Sequence, residues 1–99
     1  MKFLVIWRIE IALLSREILK SVARMRDYAQ PLEQQGKILV RYHIAGSHGG
    51  AWIYDVQSNE ELDMLLARSP VYNYSRYHVY PLADMTPPGF PGTSEKSTP

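Results

Sequence analysis

Two kinds of hydrophobic periodicity alternate along the chain, and their order restricts it to few folds. Residues 2–9 are β-branched or aromatic at most positions and predict a first strand that is apolar on both faces. Residues 15–35 instead carry apolar side chains at steps of three and four, which predicts a helix with one apolar stripe. Ser15 suits its N-cap and Gly36 its C-terminal end, whereas Pro31 is expected to kink the last turns or to end the regular helix early. The stripe consists of Ile18, Val22, Met25, Ala29 and Leu32.

The second half of the chain repeats these patterns with shorter connections. Residues 37–45 and 51–56 predict a second and a third strand, and the glycine-rich segment between them favours a hairpin. Ser58 and Glu61 form a capping-box pattern that opens a second helix, which must end before Pro70. The tyrosine-rich residues 72–80 predict a fourth strand.

The resulting order, β-α-β-β-α-β, is typical of a ferredoxin-like α+β fold, a four-stranded antiparallel sheet with two helices on one face. The first strand is apolar on both faces, so the open face of the sheet also needs cover. A second copy would supply it by forming a dimeric α+β barrel, and we expect a homodimer or larger homo-oligomer. The domain is predicted over residues 1–84, and residues 85–99, rich in Pro, Gly and Ser, predict a disordered tail.

Composition excludes several classes of function for these 99 residues. The chain has no cysteine, which rules out disulfides, a thiol nucleophile and cysteine metal sites, and suits a reducing cytoplasm. Its net charge of +1 lacks the basic excess of a nucleic-acid-binding domain. The N-terminal apolar run ends at Arg8 and is too short for a signal peptide or a membrane span. We therefore expect a cytoplasmic protein with neither nucleic acid nor membrane as partner.

The three histidines are the candidate proton-transfer groups. Their spacing is not that of a zinc motif, and we expect no metal. Because successive side chains of a strand point to opposite faces, His43 is expected to share a face with Leu39 and Arg41. His78 is expected to share one with Tyr74, Arg76 and Tyr80. Imidazoles exchange protons near neutral pH and guanidinium groups hold carboxylates, so these faces suggest acid–base chemistry on an anionic substrate. The alternative is that both faces are solvated or form a subunit interface.

Aromatic side chains could wall a pocket for a flat ligand. Trp52 and Tyr54 lie on one face of the third strand and Trp7 on the first, although core filling is the more common role for any single one of them. The turn containing His48, Gly46-Ser47-His48-Gly49-Gly50, superficially resembles a phosphate cradle. It joins two strands rather than a strand and a helix, so we interpret it as a flexible turn.

A series of short motifs runs in order through residues 36–84. They are Gly36, Ile44-Ala45-Gly46, Tyr54-Asp55-Val56, Ser58-Asn59-Glu60-Glu61-Leu62, Ser69-Pro70-Val71-Tyr72 and Val79-Tyr80-Pro81-Leu82, with Phe3 and Val5 in the first strand. In their order and spacing these motifs resemble the muconolactone isomerase family. The resemblance implies a ferredoxin-like dimer unit, often assembled into rings. It also implies a proton shift in a butenolide lactone of aromatic catabolism, with no metal and no cofactor.

The chain departs from the family pattern at polar positions. The resemblance implies a glutamate on the first helix as the acid/base, but Met25 occupies that position. A Trp-Arg pair of the family is replaced by Tyr42-His43, and a His-Tyr pair by Ser47-His48. These changes favour a different substrate and leave the reaction itself open.

Our leading hypothesis is a cofactor-free isomerase that acts by acid–base catalysis on a small oxygenated cyclic substrate, a lactone or polyketide-like compound. His43 would move the proton, with His78 or His48 as its partner. Arg41 or Arg76 would bind an anionic group of the substrate. The walls of the substrate pocket would be Tyr42, Trp52, Tyr54 and Trp7. Two alternatives are a cofactor-free monooxygenase or cyclase of the same barrel type, and a non-catalytic module for small-molecule binding or assembly.

Overall fold

The computed structural model describes residues 1–10 and 15–85. The predicted tail lies outside the described residues from position 86 onward. The elements run in the order β1 (Lys2–Ile9), α1 (Arg16–Ala23), α2 (Met25–Gln34), β2 (Ile38–His43), β3 (Gly49–Asp55), α3 (Asn59–Ala67), a 3₁₀ turn (Tyr72–Tyr74) and β4 (Ser75–Leu82).

The four strands form one antiparallel sheet in the order β2-β3-β1-β4. This order, together with helices packed on one face, confirms the predicted ferredoxin-like α+β fold. The alternating residues of β1 fall on two faces: Phe3, Val5, Trp7 and Ile9 are buried against the helices, and Leu4 and Ile6 are only partly covered on the open face. The sheet therefore has one covered face, here called the helix face, and one open face.

The core lies between the helix face and the helices. Ile18, Met25 and Ala29 from the first helical segment and Leu62, Leu65 and Leu66 from α3 are its helical members. Hydrogen bonds from the caps fix where the helices begin. The hydroxyl of Ser15 accepts from the N–H of Ile18, and that of Ser58 accepts from the N–H of Glu61 at 3.0 Å. The carboxylate of Glu61 accepts from the N–H of Gln57, one residue before the N-cap, so the Ser58 half of the predicted capping box is present and the return bond is shifted by one residue.

The first helical segment differs from its prediction. It breaks at Arg24, whose N–H bonds to the carbonyl of Ser21 three residues earlier, and a second helix starts at Met25. Pro31 does not end the helix early, because α2 continues to Gln34. Pro31 and Asp27 are both exposed, so water can satisfy the Asp27 carbonyl that the missing proline N–H leaves without a partner.

Two strands also differ from their predictions. A β-bulge shifts the register between Ile38 and Val40, so Ile38 shares the helix face with Arg41 while Leu39 is exposed. The predicted fourth strand starts too early, because Tyr72–Tyr74 form a 3₁₀ turn and β4 begins at Ser75. The prediction that Tyr74 shares a strand face with His78 is therefore wrong.

The outer strand β4 and the open face remain largely uncovered. Tyr80, Leu82 and Val79 of β4 are all at least 40% exposed, and Tyr42 on β2 is 65% exposed. Such an apolar outer strand is a surface that proteins normally cover or charge. No helix in the described part of the chain is long and apolar enough to cross a membrane.

Candidate active site

Two glycines at the start of β3, Gly49 and Gly50, let β1 approach closely at one end of the sheet. Gly49 faces the backbone oxygen of Trp7, and a Cβ at this position would overlap that oxygen. Gly50 is the cross-strand partner of Trp7 on one side and of His43 on the other. Since Gly50 has no side chain, the indole rings of Trp7 and Trp52 lie directly over its backbone on the helix face.

A cleft of about 410 Å³ opens at this end of the sheet and is here called the helix-side cleft. Its lining residues come from α2, β2 and β3: Glu33, Arg41, Tyr42, His43, Gly49, Gly50 and Trp52. This volume suits a small ligand. His43 is exposed at its mouth, so its imidazole can reach a molecule bound there.

Arg41 is held on two sides within the helix-side cleft. Its Nε donates to Glu33 Oε2 at 2.8 Å and its second nitrogen to Oε1 at 3.3 Å, a two-point ion pair. The guanidinium also lies 5.4 Å from the centroid of the Trp52 ring, at the distance of a cation–π contact. Two contacts in fixed directions orient the remaining N–H donors of Arg41 for an anionic group.

The ring of Trp52 forms the floor of the cleft, whereas Trp7, predicted as a pocket wall, lines neither this cleft nor the one on the opposite face and is buried behind Trp52. Trp52 packs edge-on against Trp7 and in a stacked arrangement against Tyr28 and Tyr54. A Cβ at Gly50 would lie 2.5 Å from the indole nitrogen of Trp52 and 2.8 Å from that of Trp7. The indole N–H of Trp7 is buried and has no hydrogen-bond partner among the described residues. Both indole nitrogens therefore lie directly over the Gly50 backbone.

Tyr54 lies in the core instead of lining a cleft, which corrects its predicted role. It is only 2% exposed, and its hydroxyl lies 3.1 Å from that of Tyr28. The Tyr28 hydroxyl donates to the carbonyl of Leu65 at 2.7 Å, so Tyr54 is the donor to Tyr28. Burial raises the pKa of Tyr28 to about 12 and raises the pKa of Tyr54 further. Both phenols stay neutral at physiological pH and serve packing.

A second cleft, of about 450 Å³, opens at the same end of the sheet and is here called the sheet-side cleft. It is lined by Arg8, Ile9, Glu10, Gly46, Ser47, His48, Arg76 and His78. Arg8, Arg76 and His78 occupy open-face positions of β1 and β4, because they alternate with the core-facing residues of those strands.

The predicted site is thus divided between the two clefts. Arg41, Tyr42, His43 and Trp52 line the helix-side cleft, and His48, Arg76 and His78 line the sheet-side cleft. The predicted partnership of His43 with His78 does not occur within one chain, and His48 lines a different cleft from His43. His43 lies on the helix face of β2 and His78 on the open face of β4, with two strands between them.

Glu33 is the one charged residue of the helix-side cleft that sequence reasoning missed. A signal for it exists, because Glu33 lies in the last turn of α2, where a carboxylate faces the negative end of the helix dipole. A carboxylate retained there suggests a cationic partner, and that partner is Arg41.

Met25, at the position where the resemblance implied a glutamate, is packed in the core. Met25 is 6% exposed, and its sulfur accepts from the hydroxyl of Ser69 at 3.3 Å. Within residues 1–10 and 15–85, no three side chains of His, Asp or Glu come together in a way that could hold a metal ion.

The family assignment rests on a match along nearly the whole described chain. The model of the family described as muconolactone delta-isomerase matches residues 1–86. The chain belongs to this family. A muconolactone delta-isomerase of Cupriavidus pinatubonensis is 41% identical over 61 residues, and one of Acinetobacter baylyi is 39% identical over 64 residues. These matches cover 62% and 65% of this chain, and 66% and 65% of the relatives, just under two thirds of their lengths.

Solved structures agree with the family's fold. A crystal structure of muconolactone isomerase superposes with a TM-score of 0.74 at 24% identity, covering 92% of this chain and 95% of that chain. A 5-chloro-2-hydroxyhydroquinone dehydrochlorinase from Burkholderia phenoliruptrix, in complex with 2,5-dihydroxybenzoquinone, superposes with a TM-score of 0.64 at 18% identity. It covers 84% of this chain and 94% of the other. The fold shared with muconolactone isomerase thus includes the strands that line both clefts.

Proposed function

We propose that this protein is a cofactor-free lactone isomerase that moves the ring double bond of a butenolide by proton transfer in the helix-side cleft. The observation that carries the proposal is the placement of His43 in the same cleft as the Arg41–Glu33 pair, above the ring of Trp52. Membership of the muconolactone delta-isomerase family supports the reaction class.

The reaction needs one group that takes a proton and returns it. In an α,β-unsaturated lactone, the hydrogen on the ring carbon beside the ring oxygen is acidic, because its loss gives a dienolate. His43 takes this proton as the carbon–hydrogen bond breaks, and the electron pair moves through the double bond to the carbonyl oxygen. The imidazolium then returns the proton to the carbon next to the carbonyl, and the double bond has shifted by one position. No atom is gained or lost.

Arg41 and Trp52 stabilise the charge that this step creates. The guanidinium of Arg41 binds either the developing enolate oxygen or a carboxylate on the substrate, in an orientation that Glu33 holds. The indole N–H of Trp52, at the floor beside Gly50, is a further donor for the carbonyl oxygen. A single base replaces the two-histidine arrangement, since His43 has no histidine partner on its face.

We propose further that the protein works as a homodimer or larger homo-oligomer. Leu4, Ile6, Val40, Ile53 and Tyr80 form an apolar area on the open face, and a second copy that packs there would cover it. Sedimentation of Ile6→Lys, which places a charge in this area, should show a smaller mass than the unchanged protein. An unchanged mass would place the subunit contact elsewhere.

The direct test is NMR of muconolactone incubated with the protein in deuterated water. We expect deuterium to enter the carbon next to the carbonyl while the double bond moves. His43→Gln should slow this exchange by roughly 10²- to 10⁴-fold. Lys20→Gln, an exposed change on α1 far from both clefts, controls for handling of the variants. The proposal is overturned if the protein exchanges deuterium no faster than buffer does, or if His43→Gln exchanges it at the same rate as the unchanged protein. Binding of the lactone without exchange would indicate a binding module.

A further inference from the structure

Arg8 and Arg76 are direct cross-strand partners on the open face of the sheet. Side chains at such positions are close enough to interact, and like charges placed directly opposite each other destabilise the strand pair. Proteins keep an unfavourable pair of this kind where another group offsets the repulsion.

The protein itself offsets only part of this charge. Arg76 forms an ion pair with Glu10, whereas Arg8 has no carboxylate partner within the described residues. His48 and His78 line the same cleft and can add charge but cannot remove it. The net charge of the lining is therefore +1 with both imidazoles neutral, and higher when either is protonated.

The sheet-side cleft is also held in shape by the backbone. The N–H of Ile9 donates to the carbonyl of His48 at 2.9 Å, which ties the hairpin turn to the end of β1. Within the turn, the N–H and the hydroxyl of Ser47 both donate to the carbonyl of Ile44 at 3.1 Å. Gly46 turns the chain there with a φ of +81°, a conformation that glycine adopts without strain. The cationic groups thus surround a preformed space of about 450 Å³.

We propose that the sheet-side cleft binds a small dianionic oxyanion, with Arg8 and Arg76 as its principal ligands. Planar guanidinium groups bind carboxylate and phosphate oxygens through two parallel hydrogen bonds. His48 and His78 are further donors when protonated. The site is separate from the helix-side cleft, because the two lie on opposite faces of the sheet, and it is tested independently of the isomerase proposal. It lies at the end of the open face beside the area that a second copy is proposed to cover, since His78 pairs with Ile6.

The two probes are inorganic phosphate, which represents a phosphate ligand, and succinate, which represents a dicarboxylate ligand. Calorimetric titration of the full-length protein with each, at fixed ionic strength, should show saturable binding of at least one. Arg8→Gln should weaken that binding by at least tenfold, while Arg26→Gln, an exposed arginine on α2, should leave it unchanged. Preference for phosphate or for succinate identifies the class of ligand, and both outcomes support the site.

Other outcomes overturn the proposal. The proposal fails if neither probe binds saturably. It also fails if Arg8→Gln and the unchanged protein bind a probe equally well. A change of sedimenting mass in Arg8→Gln, without any binding of the probes, would show that a carboxylate of a second copy neutralises the arginines. Proton exchange into the lactone is measured separately, so loss of one activity distinguishes failure of this site from failure of the isomerase.

Discussion

His43 and His78 lie on opposite faces of the sheet, on its two outer strands. Their separation follows from the pleat and the register, since His43 pairs with Gly50 in line with Trp7 on the helix face, while His78 pairs with Ile6 on the open face. Each histidine therefore belongs to a different cleft with different neighbours.

The first prediction concerns the energetic independence of these two histidines. Residues that are distant and share no partners change the free energy additively, to within roughly 0.5 kcal/mol. We expect the change in kcat/KM for the His43→Gln, His78→Gln double variant to equal the product of the changes in the single variants. A coupling above about 1 kcal/mol in this double-mutant cycle would place both imidazoles in one site, built from two chains.

The second prediction concerns Glu33, which orients Arg41. Glu33→Gln should raise KM for an anionic lactone by roughly 3- to 10-fold with a smaller change in kcat, because substrate binding loses a fixed guanidinium. Stability should change by no more than about 1 kcal/mol, since the ion pair is partly exposed. Glu60→Gln, an exposed carboxylate in the first turn of α3, is the matched control for steady-state kinetics. Equal KM values for the two variants would contradict the role of Glu33.

The third prediction compares the two adjacent glycines at the start of β3. Gly49→Ala should cost about 2–4 kcal/mol, because its Cβ meets a backbone oxygen of Trp7 that cannot move without breaking the β1–β3 pairing. Gly50→Ala meets the nitrogens of two indole rings, which can shift, so the loss should be smaller, about 1–2 kcal/mol. Urea unfolding gives both values. Turnover should nevertheless fall with Gly50→Ala, because the shift of the indole rings alters the cleft floor. A larger loss of stability for Gly50→Ala than for Gly49→Ala would contradict this packing.

The fourth prediction concerns Met25, where the family resemblance implied a glutamate. Met25→Glu should lower stability by roughly 3 kcal/mol or more and leave turnover no higher, because the carboxylate would be buried without a cation. Met25→Leu keeps the volume apolar and should cost less than about 1.5 kcal/mol. Thermal unfolding and lactone turnover test the pair together. Higher turnover in Met25→Glu would show that this position reaches the substrate.

The fifth prediction is a loss of stability at alkaline pH from the Tyr28–Tyr54 pair. Burial raises the pKa of Tyr28 from 10 to about 12, so the unfolded chain loses this proton before the folded chain does. Stability is therefore fully present below pH 10 and falls as pH rises toward 12, by up to about 1.4 kcal/mol per pH unit for each tyrosine. Tyr28→Phe should flatten this slope in urea unfolding between pH 9.5 and 11.5. A slope identical to that of the unchanged protein would assign the alkaline transition to other groups.

Local patterns in the sequence predicted most of the fold correctly. The strands, the two capping serines and the hairpin depend on neighbouring residues, so periodicity and turn chemistry are enough to recognise them. The break at Arg24 and the continuation of α2 past Pro31 were not predicted, because they depend on solvent exposure and packing along the helix. The bulge at Leu39 was missed for a related reason, since it is defined only by pairing with β3.

The candidate site shows where sequence information ends. By itself the sequence determined which chemical groups are available: three imidazoles, no thiol, and arginines on strands of an isomerase-like chain. Only the tertiary structure decided which of them meet, because register across β2, β3 and β1 aligns His43 with Gly50 and Trp7, and packing brings Glu33 of α2 to Arg41. Alternation along one strand assigns residues to faces but does not relate the faces of different strands. That relation depends on hydrogen-bond register, which forms only when the sheet assembles.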